Sequence, residues 1–145
     1  MACKRLSKGW KIYYDANGSD PYTLLTGVKT IDGPTIKAEM KDQTDLNSTD
    51  EFREFCKGFK DGGQVSLGLY FDDDVADIVY NTLDDSATAY YYRITAPLKS
   101  GQTNPSKLEF QAHVEEVGLS VPEDDSVMNP VTFKVTGPVV YTKGS

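Results

Sequence analysis

Two cysteines, one histidine and one tryptophan are all that 145 residues contain of these three types. Cys3 and Cys56 lie far apart and outside any CxxC or Cys/His ligand spacing. Neither a disulfide framework nor a zinc site is written into the chain, and a reducing cytosolic origin is expected. His113 falls on the polar side of an alternating run, KLEFQAHVEE, with no nucleophile motif to serve. GQVSLG at 63–68 spaces its residues G-x-x-S-x-G, whereas a nucleophile elbow needs G-x-S-x-G. The phosphate-cradling patterns GxxxxGK[ST] and GxGxxG are missing. No run approaches the roughly 20 apolar residues of a membrane span, and MACKRLSKGW has no apolar stretch to make it a signal peptide. Basic charge is scarce as well. With 15 Lys and Arg against 22 Asp and Glu, the net charge of −7 repels a phosphate backbone. No enzyme activity, cofactor, metal or membrane insertion is expected.

What the chain does have is aromatic residues and alternation. Nine Tyr and six Phe suit a β-rich protein with aromatic contact surfaces. Residues 1–21 read as an arm with a short extended piece and a turn-rich ANGSDP loop. From Tyr22 onward a β core is expected to continue to residue 141. In TIKAEMKD, Ile36, Ala38 and Met40 alternate with Lys37, Glu39 and Lys41, the pattern of a strand with one buried and one wet side. Val65, Leu67, Leu69 and Phe71 alternate in QVSLGLYFD, and Leu108, Phe110, Ala112 and Val114 do so opposite Glu109, Gln111, His113 and Glu115. The phase slips at Glu116 before Val117, Leu119 and Val121 resume the apolar set, which predicts a bulge near Glu115–Glu116. The closing strand turns Val131, Phe133 and Val135 inward.

Two acidic stretches interrupt this pattern. In DQTDLNSTDEFREFCKGF, Ser48 and Glu51 have capping-box spacing, and Phe52, Phe55, Cys56 and Phe59 fall at i, i+3, i+4 and i+7. That predicts a docked helix near 49–57 with Cys56 buried. A calcium loop starting at Asp45 is disfavoured against a helix cap, because its sixth and twelfth positions hold Asp50 and Cys56 where Gly and Glu are required. Asp72, Asp73 and Asp74 precede Val75, Ala76, Ile78, Val79 and Leu83, predicting a helix near 74–84 whose N-terminus favours negative charge. The fold class expected is mainly β: a single-domain sandwich or barrel with one or two short flanking helices.

The order of these segments resembles a known family. DQTDLNSTDEF, then GFKDGGQVSLGLYFD, then KLEFQAHVEEVGLSVPEDDSV resemble the major tail tube protein of long-tailed, siphophage-type bacteriophages over roughly residues 20 to 140. The resemblance implies a structural virion protein, assembled in the host cytoplasm, whose six-fold rings stack into the tail tube. Strands of all subunits would join one inner β-barrel. Its partners would be itself, a tape-measure protein and tail-end proteins, with DNA passing through the lumen without specific binding. The residues alone also allow a β-sandwich binding module, such as a capsid decoration or adhesion domain.

Candidate surfaces follow from the resemblance taken together with the alternation. Polar strand faces are expected to line a negatively charged lumen: Glu109, Gln111 and Glu115 first, then Lys37, Glu39 and Lys41. Tyr90, Tyr91 and Tyr92 in succession cannot all face one core, so part of this surface is expected to meet a neighbouring subunit. Trp10, with Lys4, Arg5 and Lys8, is expected to join stacked rings, since a lone Trp outside a core commonly anchors in a partner.

Overall fold

The computed structural model describes residues 8–47, 52–85 and 88–145. Alternating apolar residues build strands through most of that length. The order is β1 (Lys11–Asp15), β2 (Thr23–Leu24), β3 (Val28–Asp32), β4 (Lys37–Asp42), β5 (Phe55–Asp61), β6 (Gln64–Tyr70), α1 (Asp73–Asp84), β7 (Tyr90–Thr95), β8 (Lys107–Val117) and β9 (Met128–Thr142). Seven strands form one antiparallel sheet in the order β2-β1-β7-β8-β9-β6-β3, while β4 and β5 pair only with each other. The fold is therefore mainly β with one short helix, and the piece expected to be an arm supplies β1, an interior strand between β2 and β7.

The sheet curls so that one face closes on itself. Ile12, Val65, Leu67, Leu69, Tyr92, Ile94, Phe110, Ala112, Val131 and Phe133 all point into a shared core. The Tyr92 ring lies 4.6 Å from Phe133 and 5.7 Å from Phe110. Two irregularities in the β8–β9 pairing, between Glu109 and Gln111 and between Val114 and Glu116, let these long strands serve both halves of the curl. The second lies where the phase slip at Glu116 predicts it. Helix α1 buries Val75, Ala76, Val79 and Thr82; Asp72 caps it by accepting the Asp74 N–H at 3.0 Å.

Four expectations need correction. The helix near 49–57 does not form over its second half: residues 55–61 are strand β5, in register with β4. Its proposed cap, Ser48 to Glu51, lies outside the described residues. A helical stripe is stable in water only when a core covers it, and here Phe52, Phe55 and Phe59 are all exposed, Phe59 at 85%. Gly58 further disfavours a helix, while aromatic residues suit a strand. Cys56 is consequently half-buried, not core. Ile36 and Met40 alternate as read, but the ribbon stands apart from the main sheet and leaves both exposed. Phe71, Leu119 and Val121, expected inward, also sit at the surface because they fall beyond the ends of β6 and β8.

The ribbon springs from a tight root. Gly33 (φ +102°) and Gly63 (φ +71°) occupy the left-handed region, and a Cβ on Gly33 would strike the Gln64 carbonyl. The Gly63 N–H donates to Asp61 Oδ1 at 2.9 Å, and Lys134 Nζ reaches the same oxygen at 3.4 Å. The first bond, then the second, holds the Asp61 carboxyl below its ordinary pKa.

Candidate functional site

Pairing divides the sheet at Ala112. β7 pairs with β8 from Lys107 to Ala112 and no further. Residues 113–117 of β8 thus pair with β9 alone. On the far side β3 ends the sheet, bonded only to β6. Among the described residues the half β8-β9-β6-β3 therefore has an open edge on both sides, which another strand can extend.

The core-averse side of this half is polar. Register places Thr30 and Asp32 beside Gly68 and Ser66, and Gln64, Thr132, Lys134, His113 and Glu116 on the same side. Gln64 Nε2 donates to Glu115 Oε2 at 2.8 Å. Asp32, Glu115 and Glu116 face two ammoniums, Lys134 and the Lys29 that lies over the Tyr70 ring, so the balance is negative.

The other half carries an ionic hub. Arg93 Nη1 donates to Asp20 Oδ1 at 3.0 Å, its Nη2 lies 3.5 Å from Glu109, and Lys107 Nζ is 3.2 Å from Glu109's other oxygen. The guanidinium also sits 4.1 Å from the Tyr22 ring centroid. Burial opposes the charge on Arg93, but the Asp20 bond and the Glu109 and Asp20 carboxylates outweigh it, raising its pKa. This hub pins loop 16–22 across the β7–β8 face. Sequence spacing carries no signal for it, because the hydrogen-bonded partners Arg93 and Asp20 lie 73 positions apart.

The predicted candidates are therefore scattered over different surfaces. Glu115 lies on the open-edged half. Glu109 and Gln111 lie on the other, Glu109 in the hub and Gln111 donating to the Ala89 carbonyl at 3.1 Å. Lys37, Glu39 and Lys41 lie on the separate ribbon. Of the three tyrosines, Tyr92 is removed as a contact residue: it is 4% exposed and belongs to its own core. Tyr91 is half-buried with its ring against Gly18, and Tyr90 packs at the core's margin. Lys8 is exposed; Lys4 and Arg5 lie outside the described residues. Trp10 is 42% exposed and lines an open groove of about 590 Å³ with Val28, Lys29, Ile31, Ile94 and Leu108.

Two further exposed surfaces stand out, one apolar and one acidic. The ribbon presents Met40 at 55% and Phe55 at 60% exposure, on one face by register, with Phe59 near its bulge. Helix α1 presents Asp77, Tyr80, Asn81 and Asp84 as one exposed stripe. Among the described residues no three His, Cys, Asp or Glu side chains converge as a metal site, and no helix is long and apolar enough to cross a membrane.

No protein-family model matches the chain, and no curated protein matches it by sequence. Solved structures do. A chain from the tail of an empty gene transfer agent particle, refined helically with C6 symmetry, superposes with a TM-score of 0.74 at 16% identity, covering 96% of this chain and 99% of that one. A chain of the sheath–tube complex of an extracellular contractile injection system gives 0.70 at 10% identity, covering 97% and 92%. The SPP1 tail tube gives 0.70 at 12% identity, covering 98% and 80%. At these identities the likeness establishes the fold, and it extends over essentially the whole chain.

Proposed function

We propose that this protein is the structural subunit of a phage-type tail tube. Copies close into six-fold rings, the rings stack, and DNA leaves through the bore. The observation that carries the reading is an end-to-end fold match to chains of tails and injection systems, in a subunit whose sheet stops at two open edges. Open edges are a liability for a solitary domain and an asset for a shared wall. A head-to-tail contact that closes makes a ring, and axial contacts between rings make a stack. The uncovered apolar ribbon supports the same reading, since isolated domains rarely leave several large aromatic side chains in water without a partner.

On this reading the polar side of the β8-β9-β6-β3 half faces the bore. Glu115 is the expected candidate that belongs there, joined by Asp32 and Glu116; Glu109, Gln111, Lys37, Glu39 and Lys41 are assigned elsewhere. The role is structural and not enzymatic, the place is the virion tail after assembly in the host cytoplasm, and a tape-measure protein and tail-end proteins complete the partners. Negative-stain micrographs of concentrated purified protein test it. Rings and tubes are expected; particles dispersed as monomers under all salt and concentration conditions would overturn it in favour of a solitary binding module.

A further inference from the structure

The Trp10 groove is apolar at its floor and basic at its rim. Ile31, Ile94, Leu108 and Trp10 line it, continuous with a smaller hollow reaching Ala96, Lys107 and Tyr141. Lys29 and Lys107 are its charged lining residues; Lys107 is paired with Glu109 at 3.2 Å, so the positive charge of the rim rests on Lys29, whose ammonium lies 5.9 Å from the Tyr70 ring centroid. The chain also holds the opposite surface. Between Asp72 and Asp85 there is no basic residue, and α1 exposes Tyr80 between Asp77 and Asp84.

Position makes the two surfaces meet. β3 borders the groove, since Val28 to Ile31 line it, and β3 is one open edge. Helix α1 packs against β8, whose residues 113–117 form the other open edge. Joining β8 of one copy to β3 of the next therefore carries the helix flank of the first onto the groove of the second. We propose that the Trp10 groove of each copy receives helix α1 of its neighbour around the ring, with Tyr80 entering between Trp10 and the lysine rim. The occupant is a second copy of this chain because charge complements charge, and because the groove borders the β3 edge while the helix packs on β8, the strand that carries the other edge, as a closing head-to-tail contact requires. Buried aromatic side chains at the centre of such contacts carry most of the binding energy, with charged pairs at the rim setting register. The inference rests on the tube reading and adds which surfaces seal the ring.

Two reciprocal variants test it. One carries Lys29→Glu; the other carries Asp77→Lys and Asp84→Lys. Each is first shown folded by its thermal melt. Alone, each places like charges across the contact and should need at least about tenfold more protein to assemble than wild type. Mixed in equal amounts they should assemble, because in an even-numbered ring the two alternate with every contact complementary again. Assembly of either variant alone at the wild-type concentration, or failure of the mixture, overturns the proposal. Should a variant not fold, a cross-link decides: with Cys3 and Cys56 replaced by serine, Lys29→Cys and Asp77→Cys in one chain should oxidise to covalent oligomers in assembled tubes. Tubes visible by microscopy but free of cross-links sink the contact while leaving the tube reading intact. Wild-type protein that never forms tubes sinks the tube reading itself.

Discussion

Tyr92 shows how one residue can mislead a sequence reading and then define the core. In YYY a reader sees three interchangeable rings, yet register gives them three fates. Tyr92 faces Phe110 and Phe133, Tyr91 faces outward onto Gly18, and Tyr90 stays at the margin. Burial, then the nearby phenols of Tyr90 and Tyr14, pushes the Tyr92 pKa well above its ordinary 10.0. The folded phenol holds its proton to higher pH than the unfolded one. Its contribution is therefore complete below pH 10 and is lost progressively as pH climbs above that value. Tyr92→Phe removes the titration while keeping the ring. At pH 7 it should change stability by less than about 1.5 kcal/mol. Between pH 10 and 11.5 its melting temperature should fall several degrees less than that of wild type. Parallel declines for the two proteins, followed by calorimetry across this range, would show that other groups drive alkaline unfolding; Tyr14 and Tyr22, both raised by burial, are the alternatives.

Among the elements, the ribbon β4–β5 marks where legibility ended. Strands that feed the core were readable because burial on one side enforces a period of two: Val65, Leu67 and Leu69 could hardly be arranged otherwise. Helix α1 was readable because its core side, Val75, Ala76 and Val79, repeats with helical spacing behind an aspartate cap. In the ribbon no core imposes a period. The bulge between Ala38 and Met40 puts Gly58 and Phe59 across from Glu39, and the resulting spacing of Phe52, Phe55, Cys56 and Phe59 imitates a helix. The surfaces proposed for assembly are hidden for a related reason: an apolar residue that another copy would cover looks, in one chain, like a core residue. That difference can be measured. Phe55→Ser with Phe59→Ser should move the monomer's melting temperature by no more than about 2 °C, since neither ring is buried in the single chain. The same double variant should abolish tubes in sedimentation and micrographs. A large loss of monomer stability would mean the ribbon folds back onto its own domain in solution.

For the whole molecule, charge decides what a bore made from this subunit can carry. The net charge of −7 makes copies repel at a distance, so short-range contacts must overcome that repulsion, and salt at about 0.1 M confines it to roughly 10 Å. Inside the proposed bore the same sign would be useful. Asp32, Glu115 and Glu116 outnumber Lys29 and Lys134 on the open-edged half, and a ring would multiply the excess into a wall that phosphates approach without adhering. Glu115 is tied to Gln64 and Lys134 to Asp61, which keeps both side chains near the sheet. Reversing the wall should change transport chemistry without changing the fold, because Glu115 and Glu116 are exposed in the single chain. Tubes of Glu115→Lys with Glu116→Lys should co-sediment with short duplex DNA at low salt, and release it steeply as salt rises, as counterion release demands. Wild-type tubes should leave the DNA in solution throughout. Reversed tubes that ignore DNA as wild type does would place these side chains on a surface that the nucleic acid never meets, and the bore would then have to be sought on the Arg93 face of the sheet.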